Sequence, residues 1–266
     1  MAWNGKKKNF QRKTLYSSKL CYFSYRLESK VMLGKLSLVI PIFNEEKNIL
    51  PLTNQIISNL KKIKYEIIFV DDSSIDKSRQ KLKQLKKKYK FFSPIFRNKK
   101  RDLTQSCFDG IKNTKYDNIL IMDGDLQHNP KYIEKMFILF KKKDLDIVIG
   151  SRKLLYGKNQ GLSEIRRFAS IIVIYFFKVF KIETKDPMSG FFLFKKEIYY
   201  KNKKYFFGEG FKILADFIIN SKQKIRTRDL PIDFNRRHNS KSKMNFKILL
   251  ILIKFYLYSL FKTIFN

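Results

Sequence analysis

The chain has 266 residues, 44% of them hydrophobic, enough for one large domain with a true core. Its 57 Lys and Arg outnumber 23 Asp and Glu, and the formal charge of +34 favours polyanionic partners: nucleic acid, anionic lipid headgroups or phosphorylated substrates. Only Cys21 and Cys107 occur, with no C-x-x-C pair, which argues against a disulfide scaffold and a cysteine-based zinc site and agrees with a reducing, intracellular location.

Lys, Asn, Ile and Phe are enriched together, as in A/T-biased coding, so much of the charge reflects composition rather than function. Residues 1–31 are basic and hold no sustained apolar stretch, so no secretory signal is expected. They read as a disordered extension, and a domain begins naturally near Met32. From there "KLSLVIPIF" (35–43) reads as a buried strand stopped by Pro41 and Asn44. Ile49, Leu52, Ile56, Ile57 and Leu60 then recur at helical spacing. "YEIIFVDD" (65–72) is a second strand with an acidic end. Residues 77–90 form a lysine-rich helix with Leu82, Leu85 and Tyr89 on one side. "SPIFRN" (93–98) is a short third strand, and residues 103–113 a helix. "NILIMDGD" (118–125) is the clearest strand, and Pro130 suits the first turn of a helix running to about Lys141. "DIVIGSR" (146–152) follows as another strand.

Strands that are continuous apolar runs, alternating with helices, indicate an α/β fold whose parallel sheet is covered on both faces. Ligands of such sheets bind at the carboxyl ends of the strands. The polar residues gather there: Asn44 and Glu45, Asp71 and Asp72, Asp123 and Asp125, Ser151 and Arg152. No glycine lies between Gly34 and Gly110, so G-x-G-x-x-G cannot follow the first strand, and no Walker A sequence exists. A nucleotide must be held another way, and a metal is the natural device.

In an extended segment, residues two apart point to the same side. Asp123, Asp125 and Gln127 have that spacing, and three oxygen ligands suit a hard cation such as Mg²⁺ or Mn²⁺. Of Asp71 and Asp72, one is expected to cap the next helix and the other to face a base or ribose. Asp186, Met188 and Ser189 precede "FFLF" in a loop able to line a pocket. "DFNRRHNSKSK" (233–243) mixes Arg236, Arg237, Lys241 and Lys243 with hydroxyls and amides, a composition suited to phosphate.

The segments "VIPIFNEEKNI", "YEIIFVDDSSID", "ILIMDGDLQHNP", "IVIGSRK", "DPMSGFFLFKKEIY" and "PIDFNRRHNSKSK" occur in this order over residues 36–245. Together they resemble the family-2 glycosyltransferases, more narrowly the dolichyl-phosphate mannosyltransferase group of polyprenyl-phosphate glycosyltransferases. The resemblance implies a GT-A type domain over 32–245 that takes mannose or a glucose-like hexose from a GDP- or UDP-linked donor. It implies nucleoside contacts from Pro41, Phe43, Glu45, Val70 and Asp72. Asp123, Gly124 and Asp125 would meet the metal and diphosphate, with Gln127 as a further ligand. Arg152, Arg237 and Lys243 would grip phosphate. Phe43 stands where the family usually has Tyr, Gly124 where Ala is commoner, and "NKKRDLTQSC" lacks the glycine-rich turn usual there.

The implied nucleophile is a polyprenyl phosphate oxygen. A phosphate monoester has its second pKa near ~6, so it is already mostly dianionic at neutral pH and requires no general base. That accords with a chain holding only two histidines, His128 and His238. In-line attack inverts the anomeric carbon, while metal and cations stabilise the leaving diphosphate. Arg166, Arg167 and Ser189 are candidates for the acceptor phosphate.

A lipid acceptor requires a membrane. The apolar segment 168–180 is too short to span one, and either dips into the interface or packs in the core. Residues 246–266 would form a helix of about 31 Å, but Lys247, Lys254 and Lys262 fall on one stripe with Tyr258. A lysine-striped apolar helix fits an interfacial anchor at the cytoplasmic face better than a span. A non-lipid glycan acceptor is the alternative within the family. Nucleic acid is disfavoured: acidic residues at successive strand ends repel phosphate unless a metal intervenes, and no nucleic-acid-binding motif occurs.

Overall fold

The computed structural model describes residues 32–152, 175, 177–235 and 246–265. Seven strands form one sheet in the order β3-β2-β1-β4-β6-β5-β7. They are β1 (Gly34–Ile42), β2 (Ile63–Asp72), β3 (Ile95–Arg97), β4 (Asn118–Ile121), β5 (Ile147–Arg152), β6 (Phe192–Lys195) and β7 (Thr227–Ile232). β1 pairs in parallel with β2 and β4, β2 with β3, and β5 with β7. β6 alone runs antiparallel, between β4 and β5. The mostly parallel sheet agrees with the sequence reading.

Alternation along β1 divides the core in two. Leu36, Leu38 and Ile40 face α1 (Glu46–Asn59), α2 (Ser78–Lys88) and α4 (Ile133–Lys142), where Ile49, Leu52, Leu82, Met136 and Phe137 complete one cluster. Val39 points the other way. It joins Cys107 and Phe108 of α3 (Leu103–Lys112), Ile198 of α5 (Lys196–Asn202) and Phe217 of α6 (Ile213–Ile219). Helices therefore cover both faces, which is why the strands lack a polar side. The sheet order reverses between β1 and β4, and that junction opens the crevice in which α/β sheets bind ligands.

The sequence pattern places the first five strands within a few residues of their observed ends. The largest difference is β4, read as 118–125 but ending at Ile121. Met122 still donates to the Val39 carbonyl at 3.2 Å, after which the chain leaves the ladder and Leu126 takes a left-handed φ of 64°. The strict alternation assumed for Asp123, Asp125 and Gln127 is therefore broken. α5, α6 and β7 were not read from the sequence.

The last helix, α7 (Phe246–Phe265), docks on α6 through Phe255 and Ser259, both buried. Asn220 Nδ2 donates to Ser259 Oγ at 3.0 Å. Tyr258 and Lys262, read as members of one polar stripe, both bond to the protein: the Tyr258 hydroxyl, on a side chain still partly exposed, donates to the Tyr205 carbonyl at 3.0 Å. Lys262 Nζ donates to the carbonyls of Asn220 (2.7 Å) and Tyr205 (3.2 Å), capping the end of α6 as cations do. The outward face holds Leu250, Ile253, Leu257, Phe261 and Ile264, with Lys254 exposed as well. Among the described residues no helix is long and apolar enough to cross a membrane. Residues 1–31 and most of the 168–180 segment lie outside the described residues.

Candidate functional site

A cleft of about 290 Å³ lies over the carboxyl ends of β1 and β4, lined among others by Pro41, Phe43, Glu45, Asp72, Asp123 and Asp125. At its first end, Asp71 and Asp72 part company, as adjacent strand residues must. Asp71 turns from the cleft and accepts Arg79 Nε at 2.6 Å and the Ser74 amide at 3.3 Å. Asp72 faces the cleft, paired with Arg97 Nη1 and accepting the Asp102 amide at 2.9 Å. Burial pushes the Asp72 carboxyl above its ordinary range, while Arg97 and the Asp102 amide pull it down. Each of its oxygens keeps a lone pair for an N–H donor.

Asp102 caps α3 by accepting the Gln105 amide at 2.9 Å, and its other oxygen accepts the Gly210 amide at 2.7 Å. The segment "NKKRD", which has no glycine-rich turn, thus ends in a side-chain cap. Its Arg101 guanidinium lies 3.3 Å from the centroid of the Phe43 ring. The hydroxyl missing at Phe43 is therefore accompanied by a cation stacked on the ring. Glu45 is buried and accepts Asn48 Nδ2 at 2.6 Å. Val70 is wholly buried in the core and does not line the cleft. The contact expected of it can come only from backbone.

The turn after β4 supplies the acidic wall. The Asp123 side chain is 36% exposed, while Asp125 is nearly buried and accepts the Gln127 amide at 3.1 Å. Gln127 does not line the cleft: it is buried, and its Nε2 donates to the Asn235 carbonyl at 3.0 Å. The Asn235 amide donates back to the Gln127 carbonyl at 3.0 Å, and His128 bridges to Phe234. The acidic turn is thus tied to Phe234 and Asn235, the residues just before the basic sequence 236–243. A Cβ on Gly124 would fall 2.5 Å from Ile42 Cγ2, so this chain has Ile42 filling the place of the commoner alanine's methyl.

The third wall is cationic. Arg152 is clamped by Asp186: its Nε meets Oδ2 at 2.8 Å and its Nη2 meets Oδ1 at 2.7 Å, and its own amide reaches Oδ2 at 3.0 Å. Asp186, expected only as a loop residue, is the group that orients Arg152. Ser189 lines the cleft, but its hydroxyl proton is committed to the Gly150 carbonyl at 2.7 Å. Lys212, which the sequence reading missed, also lines the cleft. It makes no hydrogen bond or salt bridge among the described residues, and burial beside Arg152 pushes its ammonium down to about 8. A partly buried cation with no ion-pair partner among the described residues, lining a cleft, is a candidate anion-binding group. The only sequence signal was its place in "GFKILAD", a short apolar run with one lysine.

The structure thus gathers Pro41, Phe43, Glu45, Asp72, Asp123, Gly124, Asp125 and Ser189 at one cleft. Arg152 stands behind it within electrostatic reach of Asp123. Arg166, Arg167, Arg237 and Lys243 lie outside the described residues. No three His, Cys, Asp or Glu side chains meet as a complete metal cage among the described residues. Two carboxylates with open space beside them instead fit Mg²⁺ or Mn²⁺ whose remaining ligands are water and phosphate.

Residues 37–202 match the profile of the family described as glycosyl transferase family 2. The dolichol-phosphate mannosyltransferase of Pyrococcus furiosus is 34% identical over 218 residues, which cover 81% of this chain and 60% of that protein. This chain thus spans about three-fifths of that relative's length. The Saccharomyces cerevisiae enzyme of the same name is 29% identical over 226 residues, 80% of this chain and 82% of the yeast protein. Among solved structures, glucosyl-3-phosphoglycerate synthase from Mycobacterium tuberculosis with Mn²⁺ and UDP-glucose superposes with a TM-score of 0.61 at 13% identity. That superposition covers 86% of this chain and 78% of the other. At that identity the likeness concerns the fold.

Proposed function

The chain belongs to glycosyl transferase family 2, and from that premise we propose that it transfers a hexosyl group from a nucleotide sugar to a polyprenyl or dolichyl phosphate. The carrying observation is that the Asp123 and Asp125 carboxylates and the Lys212 ammonium line one cleft. Opposite charges spaced around a polar cleft suit a metal-bound diphosphate. The names of the Pyrococcus and yeast relatives support mannose and a dolichol-type acceptor.

At the nucleoside end, Asp72 offers acceptor lone pairs to base or ribose donors, and Phe43 with Arg101 forms a flat wall beside it. Asp123 and Asp125 would hold Mg²⁺ or Mn²⁺, and the buried Gln127 carboxamide would have to turn toward the cleft to add its oxygen as a third ligand. A divalent cation there supplies positive charge to the departing diphosphate. Lys212 and the Asp186-held Arg152 add fixed cations on that side, and Arg237 and Lys243 add two more from the 236–245 loop. Fixed charges of this kind cost no reorganisation when the leaving group departs.

The acceptor phosphate dianion attacks the anomeric carbon, its oxygen forms the new bond, and the bond to the diphosphate breaks with inversion. No residue has to remove a proton. His128 is buried and turned toward Asp123, which agrees with that chemistry. Arg166 and Arg167 would guide the acceptor phosphate, with Ser189 shaping the backbone next to it. The outward apolar face of α7 would rest on the cytoplasmic membrane surface from which the lipid is drawn.

The test is a transfer assay with GDP- and UDP-linked hexoses, a short polyprenyl phosphate and Mg²⁺ or Mn²⁺. Metal-dependent formation of a polyprenyl phosphohexose is expected. Sugar transfer to a glycan but to no lipid under any donor would refute the acceptor.

A further inference from the structure

His128 is the least explained polar side chain near the cleft. It is 1% exposed and wedged between the rings of Phe191 and Phe234, each centroid 5.1 Å away. Its Nδ1 has no hydrogen-bond partner among the described residues. Its Nε2 points at Asp123 Oδ2 from 3.5 Å, close enough for charge attraction but longer than a formed hydrogen bond. A buried imidazole with one orphan nitrogen is a costly residue to keep against a satisfied one. Phe in its place would fill the same aromatic slot without that cost.

The other side of Asp123 is equally constrained. A Cβ on Gly190 would lie 2.4 Å from Asp123 Oδ2, 2.7 Å from Cγ and 2.8 Å from Oδ1. A Cβ there would push the carboxylate out of its present position, so Asp123 stands in a slot between the His128 ring and the bare Cα of Gly190.

We propose that His128 and Gly190 are positioning residues that present one oxygen of Asp123, Oδ1, to the divalent cation while Oδ2 is held by His128 Nε2–H. The inference rests on the metal reading given above. Asp123 only accepts when ionised and Nδ1 has no partner, so the proton belongs on Nε2. Rotation of the carboxylate on metal binding closes the gap to a hydrogen bond. Such outer supports fix a ligand's orientation and typically carry 10–100-fold in metal affinity.

Two measurements test this on the full chain. First, Mn²⁺ is titrated by electron paramagnetic resonance, alone and beside GDP or UDP. His128→Phe should weaken Mn²⁺ binding about 10–100-fold without lowering the melting temperature of the metal-free protein, and His128→Gln, which keeps a donor, should recover part of the loss. Gly190→Ala should weaken binding similarly. Wild-type affinity in His128→Phe overturns the proposal. Absence of Mn²⁺ binding by the wild-type chain under every condition instead overturns the metal reading itself, and the proposal with it. Second, ¹⁵N shifts of the imidazole should report a proton on Nε2. With only one other histidine, His238, a single variant completes the assignment. A proton on Nδ1 in the metal-bound protein also overturns the proposal.

Discussion

Arg152 lies flat against Asp186, with Nη2 2.7 Å from Oδ1 and Nε 2.8 Å from Oδ2, and their side chains are only 12% and 0% exposed. Such a fork fixes a guanidinium in direction as well as place. Removing one partner strands a buried charge. Asp186→Ala should therefore destabilise the protein by about 3–5 kcal/mol in urea unfolding. Arg152→Lys keeps the charge and loses the fork, so transfer should fall while stability drops less. If Asp186→Ala unfolds at the wild-type urea concentration, the pair does not anchor the cleft.

The two metal-side carboxylates should separate in their structural cost. Asp123 is 36% exposed and Asp125 nearly buried, accepting the Gln127 amide. Either alanine variant should lose metal-dependent transfer by at least about 100-fold. Asp123→Ala should melt like the wild type, whereas Asp125→Ala should melt lower, and Asp125→Asn, which retains the turn acceptor, should restore stability without activity. Full activity in Asp125→Ala would remove the metal site from this turn.

Lys212 carries a trade of stability for binding. Its ammonium is pushed down to about 8, below the ordinary lysine value near 10.5, first by burial and then by Arg152. A depressed lysine destabilises the fold wherever the unfolded chain holds the proton more readily. The penalty is full below pH 8 and is relieved as pH rises from about 8 toward 10.5. Lys212→Met should thus be more stable than the wild type at pH 7 by roughly 1–3 kcal/mol, with the difference gone near pH 10.5. The same variant should bind nucleoside diphosphate more weakly. Equal melting temperatures at pH 7 and unchanged nucleotide affinity would together dismiss the role.

How far the sequence carries the argument follows from what each feature depends on. Apolar runs ending in carboxylates revealed the strands and the cleft residues Glu45, Asp72, Asp123 and Asp125, because burial on both faces and polar strand ends are local properties. Lys212 was illegible: one lysine among 57 Lys and Arg has no signature until tertiary packing strips its water. The clamp between Arg152 and Asp186 spans 34 positions, and no spacing rule joins them. The end of β4 at Ile121, and with it the turn of Gln127 away from the cleft lining, was hidden for another reason. Leu126 takes a left-handed φ of 64°, and a leucine gives no warning of such a turn. Likewise the stripe of Tyr258 and Lys262 is legible from spacing, but its bonds to the carbonyls of Tyr205 and Asn220 are not, because those groups come from distant segments of the chain.

That last difference makes the orientation of α7 testable. Lys262 and Tyr258 tie one side of α7 to the protein, so the side open to the proposed membrane contact is that of Leu250, Ile253, Leu257, Phe261 and Ile264. Leu257 is 58% exposed and Phe261 64%, one helical turn apart. Burying such side chains contributes about 1.5–3 kcal/mol each, so replacing both with Glu should lower partition onto anionic vesicles by at least about 100-fold. The melting temperature should stay near the wild-type value, because neither side chain enters the core clusters. Lys262→Met gives the contrasting result: it takes the lysine donor from the Asn220 carbonyl and leaves Tyr205 with the Tyr258 hydroxyl alone, so the protein should melt lower while vesicle binding persists. If the double Glu variant partitions like the wild type, α7 does not carry the membrane contact.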